Sequence, residues 1–275
     1  MQGYADCNKG DIVVEIVVCI KQVPDTTEVK IDPVKNTLIR DGVPSIVNPY
    51  DEYAVEAALR LKEQYGAKVT VLTMGPPQAE SALRKCLAMG ADEAVLVTDR
   101  AFAGADTWAT SYTLATAINS IAKPDLIFCG KMAIDGDTAQ VGPGIAEHLH
   151  IGHATYVVKI KDVQKDCVVV ERAFEGGHEV ISVKLPAVIA VDKYVGEPRY
   201  PSVKGSIKAS RMPIKVFSAK DIKADEQKIG LNGSCTQVMQ IFTPKVTATS
   251  EMISGKTEAE MVDALFDKLQ KAQMI

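Results

Sequence analysis

The chain has 275 residues, of which 47 % are hydrophobic and 5 % aromatic, so it is long enough for one large domain or one domain with an extension, and its core should be aliphatic. A formal net charge of −4 argues against a nucleic-acid partner, and no apolar run approaches the roughly 18 residues that span a bilayer. The N-terminus shows no secretory signal and the six cysteines include no C-x-x-C pair, so we expect reduced thiols in a cytoplasmic protein and no zinc or iron–sulfur site.

Strands and helices alternate along the first half of the chain. The apolar run Val13–Ile20 predicts a strand covered on both faces, a hairpin is possible around Asp32–Asn36, and Asn48–Asp51 lead into a helix that ends at Gly66. Strands are then predicted at Val69–Thr73, Ala94–Thr98 and Leu126–Cys129, and helices at Ala79–Met89, Thr107–Ile121 and Pro143–His150. This alternation predicts an α/β fold with a doubly wound, mostly parallel sheet.

The pattern changes after His153. Four strands joined by short turns either extend the same sheet with antiparallel strands or form a small second sheet; they are predicted at Ala154–Ile160, Cys167–Arg172, Glu179–Leu185 and Ala187–Val191. Residues 196–256 have weak periodicity and are expected to form an irregular arm. Thr257–Ala272 is an amphipathic helix expected to pack on a partner chain or back on the main domain. The predicted organisation is an extension at 1–11, an α/β nucleotide-binding domain at 12–195 and a C-terminal arm at 196–275.

The most informative segment is Gly130–Val141, which follows a predicted strand and precedes a helix. Ligands of open α/β sheets bind at the carboxyl ends of strands, and a helix N-terminus favours phosphate. Either Asp137 and Gln140 form a capping box, or the helix begins at Gly142–Pro143 after a short turn. The segment matches neither a Walker A loop nor the dinucleotide fingerprint. It is therefore an ordinary loop or a phosphate site of another type.

Two further groups of residues have a functional and a plain interpretation. His148, His150 and His153 could suggest a metal site, but exposed histidines at a helix end explain them better. A basic patch formed by Lys204, Lys208 and Arg211 is either solvated surface or a docking site for an acidic protein.

Several long stretches resemble the β subunit of electron-transferring flavoprotein. They occur in the order of that family and cover nearly the whole chain after its N-terminal residues: IVVCIKQVPD, NPYDEYAVEAALRLKE, LTMGPPQAESALRKCLAMGADEAVLV, GKMAIDGDTAQVGP, KLPAVIAVDKYVGEPRY and the final helix. The resemblance implies a Rossmann-like adenine-nucleotide-binding domain whose C-terminal arm wraps an α subunit carrying FAD.

The resemblance also implies the functional residues. The nucleotide site would be formed by Cys19, Asn48, Pro49, Tyr50, Asp51, Met74, Gly130, Lys131, Met132, Ala133, Ile134, Asp135, Gly136, Asp137, Thr138, Ala139, Gln140 and Val141. The segment that docks on a partner dehydrogenase would be Arg199, Tyr200, Pro201, Ser202, Val203, Lys204 and Gly205. No side chain is implied to act as a catalytic acid or base, and no metal is implied.

The nucleotide decides the function within this family. One branch holds AMP and shuttles electrons from acyl-CoA dehydrogenases. The other holds a second FAD that takes hydride from NADH and bifurcates electrons to ferredoxin or flavodoxin and, through the α-subunit FAD, to a dehydrogenase. The stretch Asp135–Pro143 resembles the second branch, because the AMP branch tends to have bulkier or more acidic residues at the position of Gly136. A universal-stress-type ATP-binding domain and a purely structural subunit are the alternatives outside the family.

Overall fold

A computed structural model describes residues 15–25, 44–239 and 250–275. The chain divides into two compact units, the first ending at Met239 and the second beginning at Gln240. The hairpin predicted around Asp32–Asn36 and the predicted extension at 1–11 lie outside the described residues.

The first unit contains a nine-stranded sheet and a separate two-stranded sheet. The strands are β1 (Glu15–Cys19), β2 (Gln22–Pro24), β3 (Ser45–Val47), β4 (Lys68–Met74), β5 (Glu93–Val97), β6 (Leu126–Gly130), β7 (Gly152–Val163), β8 (Cys167–Phe174), β9 (Gly177–Lys184), β10 (Ala187–Val191) and β11 (Lys215–Phe217). The helices are α1 (Pro49–Tyr65), α2 (Glu80–Met89), α3 (Thr107–Ile121), α4 (Val141–Leu149) and α5 (Val203–Arg211), with α6 (Glu258–Lys271) in the second unit.

The large sheet confirms the predicted α/β fold class. Its strand order is β11-β5-β4-β1-β6-β10-β7-β8-β9. Neighbouring strands are parallel from β11 to β7, whereas β8 and β9 add on in antiparallel pairs. Of the two arrangements left open for the later strands, the structure therefore shows the extension of one sheet.

Both faces of the sheet are covered, which explains the unbroken apolar run in β1. Ile16 and Val18 lie in a core formed with α1 and α2, whereas Val17 and Cys19 lie in a second core formed with α3 and α4. The strand order changes direction between β1 and β6, where Cys19, the last residue of β1, lies beside Cys129, the next-to-last residue of β6. The carboxyl ends of these two strands thus form the edge where an α/β sheet binds its ligand.

The segment expected to be irregular after residue 196 contains two regular elements. Helix α5 packs on α2, where Arg84 Nη1 donates to the carbonyl oxygens of Ala209 at 2.7 Å and Met212 at 3.1 Å. Strand β11 then pairs with β5 and extends the parallel sheet. Ile222 and Ile229, farther along, are buried in the core beside α3. These elements are short and packed against distant parts of the chain, so local periodicity did not reveal them.

The second unit contains the predicted C-terminal helix. The hydroxyl of Thr257 caps α6 by accepting the N–H of Glu260 at 3.3 Å. Within this unit, the apolar side chains of Val262, Leu265 and Phe266 are exposed. Packing of α6 on a partner chain stays a prediction. Among the described residues, no helix is both long and apolar enough to cross a membrane.

Replacing Asp106 by Ala should lower the free energy of unfolding by about 2 kcal/mol. Asp106 Oδ1 accepts the N–H groups of Trp108 and Ala109 at the start of α3, and its Oδ2 accepts those of Cys235 and Thr236. One carboxylate therefore caps a helix and holds a distant segment. Denaturant unfolding measures the loss, and Asp106→Asn, which keeps one acceptor oxygen, should lose about half as much. Equal stability of the Ala variant and the wild type would contradict this role.

Candidate nucleotide-binding site

The Asn48 side chain connects the start of α1 to the loop Gly130–Val141. Its Nδ2 donates to the carbonyl oxygen of Met132 at 2.9 Å, and its Oδ1 accepts the N–H of Ile134 at 3.1 Å. Asn48 precedes α1, yet its side chain does not cap the helix. The amide instead fixes the first half of the loop, and Pro49 occupies the first helical position, where no N–H is needed.

Asp51 joins the carboxyl ends of β1 and β6. Its side chain is 6 % exposed, and its two oxygens accept the backbone N–H groups of Lys21 at 2.7 Å and Gly130 at 3.0 Å. Burial raises the pKa of Asp51 to about 7, although hydrogen bonds from Lys21, Asn48 and Gly130 act in the opposite direction. Both carboxylate oxygens therefore accept hydrogen bonds from the backbone of this chain. Asp51 thus holds the segments that follow β1 and end β6 in place.

The second half of the loop has an uncommon backbone. A turn closes where the N–H groups of Gly136 and Asp137 donate to the carbonyl oxygen of Ala133 at 3.3 and 2.8 Å. Asp137 and Ala139 have φ angles of 50° and 53°, in the left-handed region that residues other than glycine rarely adopt. Helix α4 then begins at Val141, two residues before Pro143, so the predicted start at Gly142–Pro143 is slightly late and the capping box does not form.

Unpaired backbone donors meet at the start of α4. Within the part of the chain that the structure describes, the N–H groups of residues 138–142 have no hydrogen-bond acceptor, and residues 134–138 are exposed. A helix N-terminus with free N–H groups carries a partial positive charge. The residues present therefore fit the phosphate groups of a nucleotide.

The glycines of the loop and helix differ in what requires them. A Cβ at Gly130 would lie 2.5 Å from Asp51 Oδ1 and one at Gly142 would lie 2.8 Å from Cys129 Sγ, while one at Gly144 would overlap Ser111. At Gly136 a Cβ would meet no atom of the described residues within 4 Å. Packing within the chain thus explains the first three glycines, but it does not explain Gly136.

The side chain of Lys131, near the start of the loop, is held by groups from three elements. Its Nζ lies 2.9 Å from Asp192 Oδ2, just after β10, and 5.1 and 5.5 Å from the ring centroids of Tyr50 and Tyr156. Tyr156 has a φ of 56° at an irregular point of β7, where the pairing with β10 shifts register. Sequence reasoning missed Asp192 and Tyr156; the position of Asp192 directly after a predicted strand was the available signal, whereas Tyr156 lies within β7.

Cys19 and Met74, two of the predicted nucleotide-site residues, are the last residues of β1 and β4. Burial and the charge of Asp51 raise the pKa of Cys19 to about 12, and the thiol lies in the core beneath the sheet edge. Met74 is half-buried at the end of β4. Lys21, which was not predicted, contacts both parts of the site: its N–H reaches Asp51 and its Nζ lies 2.6 Å from Asp135 Oδ1. Its position just after the first predicted strand could have indicated it.

The histidine cluster is not arranged as a metal site. His148 is half-buried against Trp108 and Tyr112, with ring centroids 4.2 and 5.5 Å apart, and is therefore not the exposed residue expected. Burial lowers the pKa of His148. His150 and His153 are exposed as predicted. No three His, Cys, Asp or Glu residues in the described ranges are placed to hold a metal ion.

The predicted docking segment, Arg199–Gly205, presents two apolar side chains to solvent. Tyr200 is 96 % exposed and Val203 is 80 % exposed. Ser202 caps α5 by accepting the N–H of Gly205 at 2.9 Å. Arg199 instead forms ion pairs with α1. The basic patch Lys204, Lys208 and Arg211 lies on α5.

Known proteins are similar to this chain over nearly its whole length. A family model described as the electron transfer flavoprotein domain matches residues 35–222. The chain is 51 % identical over 261 residues to the electron transfer flavoprotein subunit beta of Thermoanaerobacterium thermosaccharolyticum, covering 94 % of this chain and 99 % of that protein. It is 51 % identical over 261 residues to the caffeyl-CoA reductase-Etf complex subunit CarD of Acetobacterium woodii, with the same 94 % and 99 % coverage. It is 48 % identical over 265 residues to the protein FixA of Azorhizobium caulinodans, covering 94 % of each chain.

Proposed function

Because the chain belongs to the electron transfer flavoprotein family as a β subunit, we propose that its site holds the FAD of an electron-bifurcating complex. The heterodimer with an α subunit would take hydride from NADH in the cytoplasm. It would deliver one electron to ferredoxin or flavodoxin and the other, through the α-subunit FAD, to an acyl-CoA-type dehydrogenase. Similarity over nearly the whole chain leaves a universal-stress-type domain without support.

The open space around Gly136 is the observation that favours FAD over AMP as the bound nucleotide. Among residues 15–25, 44–239 and 250–275, no atom lies within 4 Å of a Cβ at this position, and its φ is not in the left-handed region, so neither packing nor backbone geometry there requires glycine. The requirement is then a ligand that passes close to the loop. A pyrophosphate needs more room than a single phosphate, which supports the larger nucleotide.

The remaining residues of the loop would bind and orient the nucleotide. The free N–H groups of residues 138–142 can hold the phosphates, and the exposed Thr138 hydroxyl offers one more donor. Gln140 is placed by the Thr107 hydroxyl, which lies 3.2 Å from its Oε1. The bound flavin would supply the hydride acceptance and the single-electron transfer, while the chain supplies position and electrostatics.

The nucleotide content of the purified heterodimer tests the proposal. After denaturation, chromatography should find two FAD and no AMP per heterodimer. One FAD with one AMP would contradict bifurcation and favour a simple electron carrier. Gly136→Asp should lower the FAD content towards one while the unfolding midpoint of the nucleotide-free protein stays unchanged, because no atom of the described residues lies within 4 Å of a Cβ at this exposed position. Full retention of two FAD by this variant would contradict the role given to Gly136.

The relatives support a dehydrogenase partner linked to coenzyme A. CarD is named as a subunit of a caffeyl-CoA reductase complex. An exposed apolar side chain next to basic residues suits a partner with an apolar pocket and an acidic rim. Val203 and the basic residues of α5 provide this combination.

Val203→Asp should reduce electron delivery to an acyl-CoA dehydrogenase about tenfold or more, because it places a charge where an apolar contact forms. Steady-state transfer at varied dehydrogenase concentration measures the effect, and flavin content should remain that of the wild type. Val216→Asp is the matched control, since Val216 is also exposed but lies on β11. Equal delivery by the wild type and Val203→Asp would overturn the docking assignment.

A further inference from the structure

We propose that Arg199 is a positioning residue: together with Glu56, Arg60 and Glu63 it holds the docking segment Arg199–Gly205 on α1, and it does not itself contact the dehydrogenase. These four residues are called the Glu56 network. The inference rests on the proposed function for the identity of the partner, but the contacts that carry it lie within this chain.

The guanidinium of Arg199 is already occupied by carboxylates of α1. Its Nε donates to Glu56 Oε2 at 2.8 Å, and its Nη2 donates to Glu56 Oε1 and Glu63 Oε2, both at 3.2 Å. Its Nη1 donates to Glu63 Oε1. The backbone N–H of Arg199 also reaches Glu56 Oε2, at 3.1 Å. Side chain and backbone are therefore both attached to the helix, and four of the five guanidinium N–H groups already donate to carboxylates of α1.

Glu56 is the buried centre of this network. It is 4 % exposed, and it also accepts Arg60 Nε at 2.8 Å. Burial alone would raise the pKa of Glu56, but the hydrogen bonds from Arg199 and Arg60 outweigh it and the pKa is lowered. Removing a partner from a buried carboxylate destabilises the folded protein, so the ion pairs of Glu56 with Arg199 and Arg60 are strongly favoured.

Arg60 extends the network to the chain just before the docking segment. Its Nη1 and Nη2 donate to the carbonyl oxygens of Val195 at 3.4 Å and Glu197 at 3.3 Å. Gly196, between them, has a φ of 139°, and a Cβ there would overlap the Arg60 guanidinium. The chain thus follows the surface of α1 closely on its way to Arg199.

The other end of the segment is held on α2. Gly205 packs against the carbonyl oxygen of Ala88, where a Cβ would not fit, and Ser202 caps α5. The exposed Tyr200 and Val203 lie between these two attachments. A binding segment that is ordered before the partner arrives loses less entropy on binding. The network therefore serves docking by fixing where Val203 points.

Hydrogen exchange in the purified αβ heterodimer tests the proposal. In Arg199→Met, peptides covering residues 196–205 should exchange about tenfold faster, whereas peptides from the start of α1 and the flavin content should not change. Arg100→Met is the matched control, because it removes the same charge from an exposed position outside the network. Unchanged exchange at 196–205 in Arg199→Met would overturn the proposal.

A second variant, Glu63→Gln, tests the same proposal in case Arg199→Met does not fold. Glu63→Gln alters only the exposed carboxylate of the network, whose side chain is 61 % exposed, so the fold should be retained. The exchange of residues 196–205 should rise about threefold. If this variant exchanges as slowly as the wild type while Arg199→Met fails to fold, Arg199 supports the fold and not the segment, and the proposal is wrong.

Electron delivery separates this proposal from the docking assignment. With an acyl-CoA dehydrogenase, Arg199→Met should raise KM about fivefold at unchanged kcat, since the partner must order the segment itself. Val203→Asp should impair delivery with exchange unchanged. A raised KM in Arg199→Met without faster exchange would mean direct contact and would overturn the positioning role. Faster exchange with delivery unaffected in both variants would uphold the positioning role and overturn the docking assignment.

Discussion

Replacing Asp51 by Asn should lower the stability of the heterodimer by about 3 kcal/mol and empty the β-subunit nucleotide site. The two oxygens of Asp51 accept the N–H groups of Lys21 and Gly130. An asparagine of the same shape would present its NH₂ group to one of these donors and leave it buried without an acceptor. Because Gly130 begins the loop, the displaced backbone would also move the N–H groups that we propose to bind phosphate. A thermal unfolding midpoint lowered by about 6–12 °C, together with loss of one nucleotide, is the expected result.

Asp135→Asn is the control for this change. It makes the same substitution in the same region, but Asp135 is an exposed residue paired with Lys21, so the loss should stay below about 1 kcal/mol. Equal effects of the two variants would show that the buried hydrogen bonds of Asp51 have no special weight.

The pKa of Asp51 predicts how its effect varies with pH. Burial raises the pKa to about 7 in the folded protein, whereas a carboxyl group in an unfolded chain titrates near its ordinary value of about 4. Between these values the folded protein holds a proton that the unfolded chain releases, so rising pH lowers the free energy of unfolding. The stability difference between wild type and Asp51→Asn should therefore narrow from pH 5 to pH 7 and become constant above pH 8. A difference that widens over this range would contradict the raised pKa.

Gly130→Ala should destabilise the protein by about 3 kcal/mol, because the new methyl group has no space. A Cβ would lie 2.5 Å from Asp51 Oδ1 and 2.6 Å from the carbonyl carbon of Tyr50. The second atom belongs to the backbone of α1 and cannot rotate away. Thermal unfolding of the heterodimer measures the loss, which should be accompanied by a lower nucleotide content.

Gly136→Ala provides the comparison for Gly130→Ala. It introduces the same methyl group six residues further along the same loop, where a Cβ would meet nothing within 4 Å in the part of the chain that the structure describes. The unfolding midpoint of the nucleotide-free protein should not change. If both variants lose equal stability, the distinction between a glycine required by packing and one required by a ligand fails.

The conformation of the loop depends on residues that are far apart in the sequence. Asn48 and Asp51 hold the loop from α1, and Lys131 is held by Asp192 after β10. The loop itself supplies the free N–H groups and the left-handed residues Asp137 and Ala139. Rigid strand and helix ends thus determine the shape of a loop that is exposed on its outer side, as a binding site requires.

Sequence alone determined the parts of this protein that local patterns encode. Helix α3 and strand β10 have the predicted bounds, and Gly66 ends α1 in the left-handed conformation, because apolar periodicity and glycine act over a few neighbouring residues. The position of the loop at the sheet edge followed from strand–helix alternation.

Only the tertiary structure decided what joins these elements. Strand β11 has three residues, too few for a periodic signal, and becomes a strand because β5 offers an open edge. Asp51 meets Gly130 across 79 residues, and Arg199 meets Glu56 across 143. Hydrogen bonds and ion pairs of this kind leave no periodic mark in the sequence, because their partners are brought together by the packing of whole elements. The support that the buried Asp51 gives to the loop, and the positioning role proposed for Arg199, therefore emerged only from the folded chain.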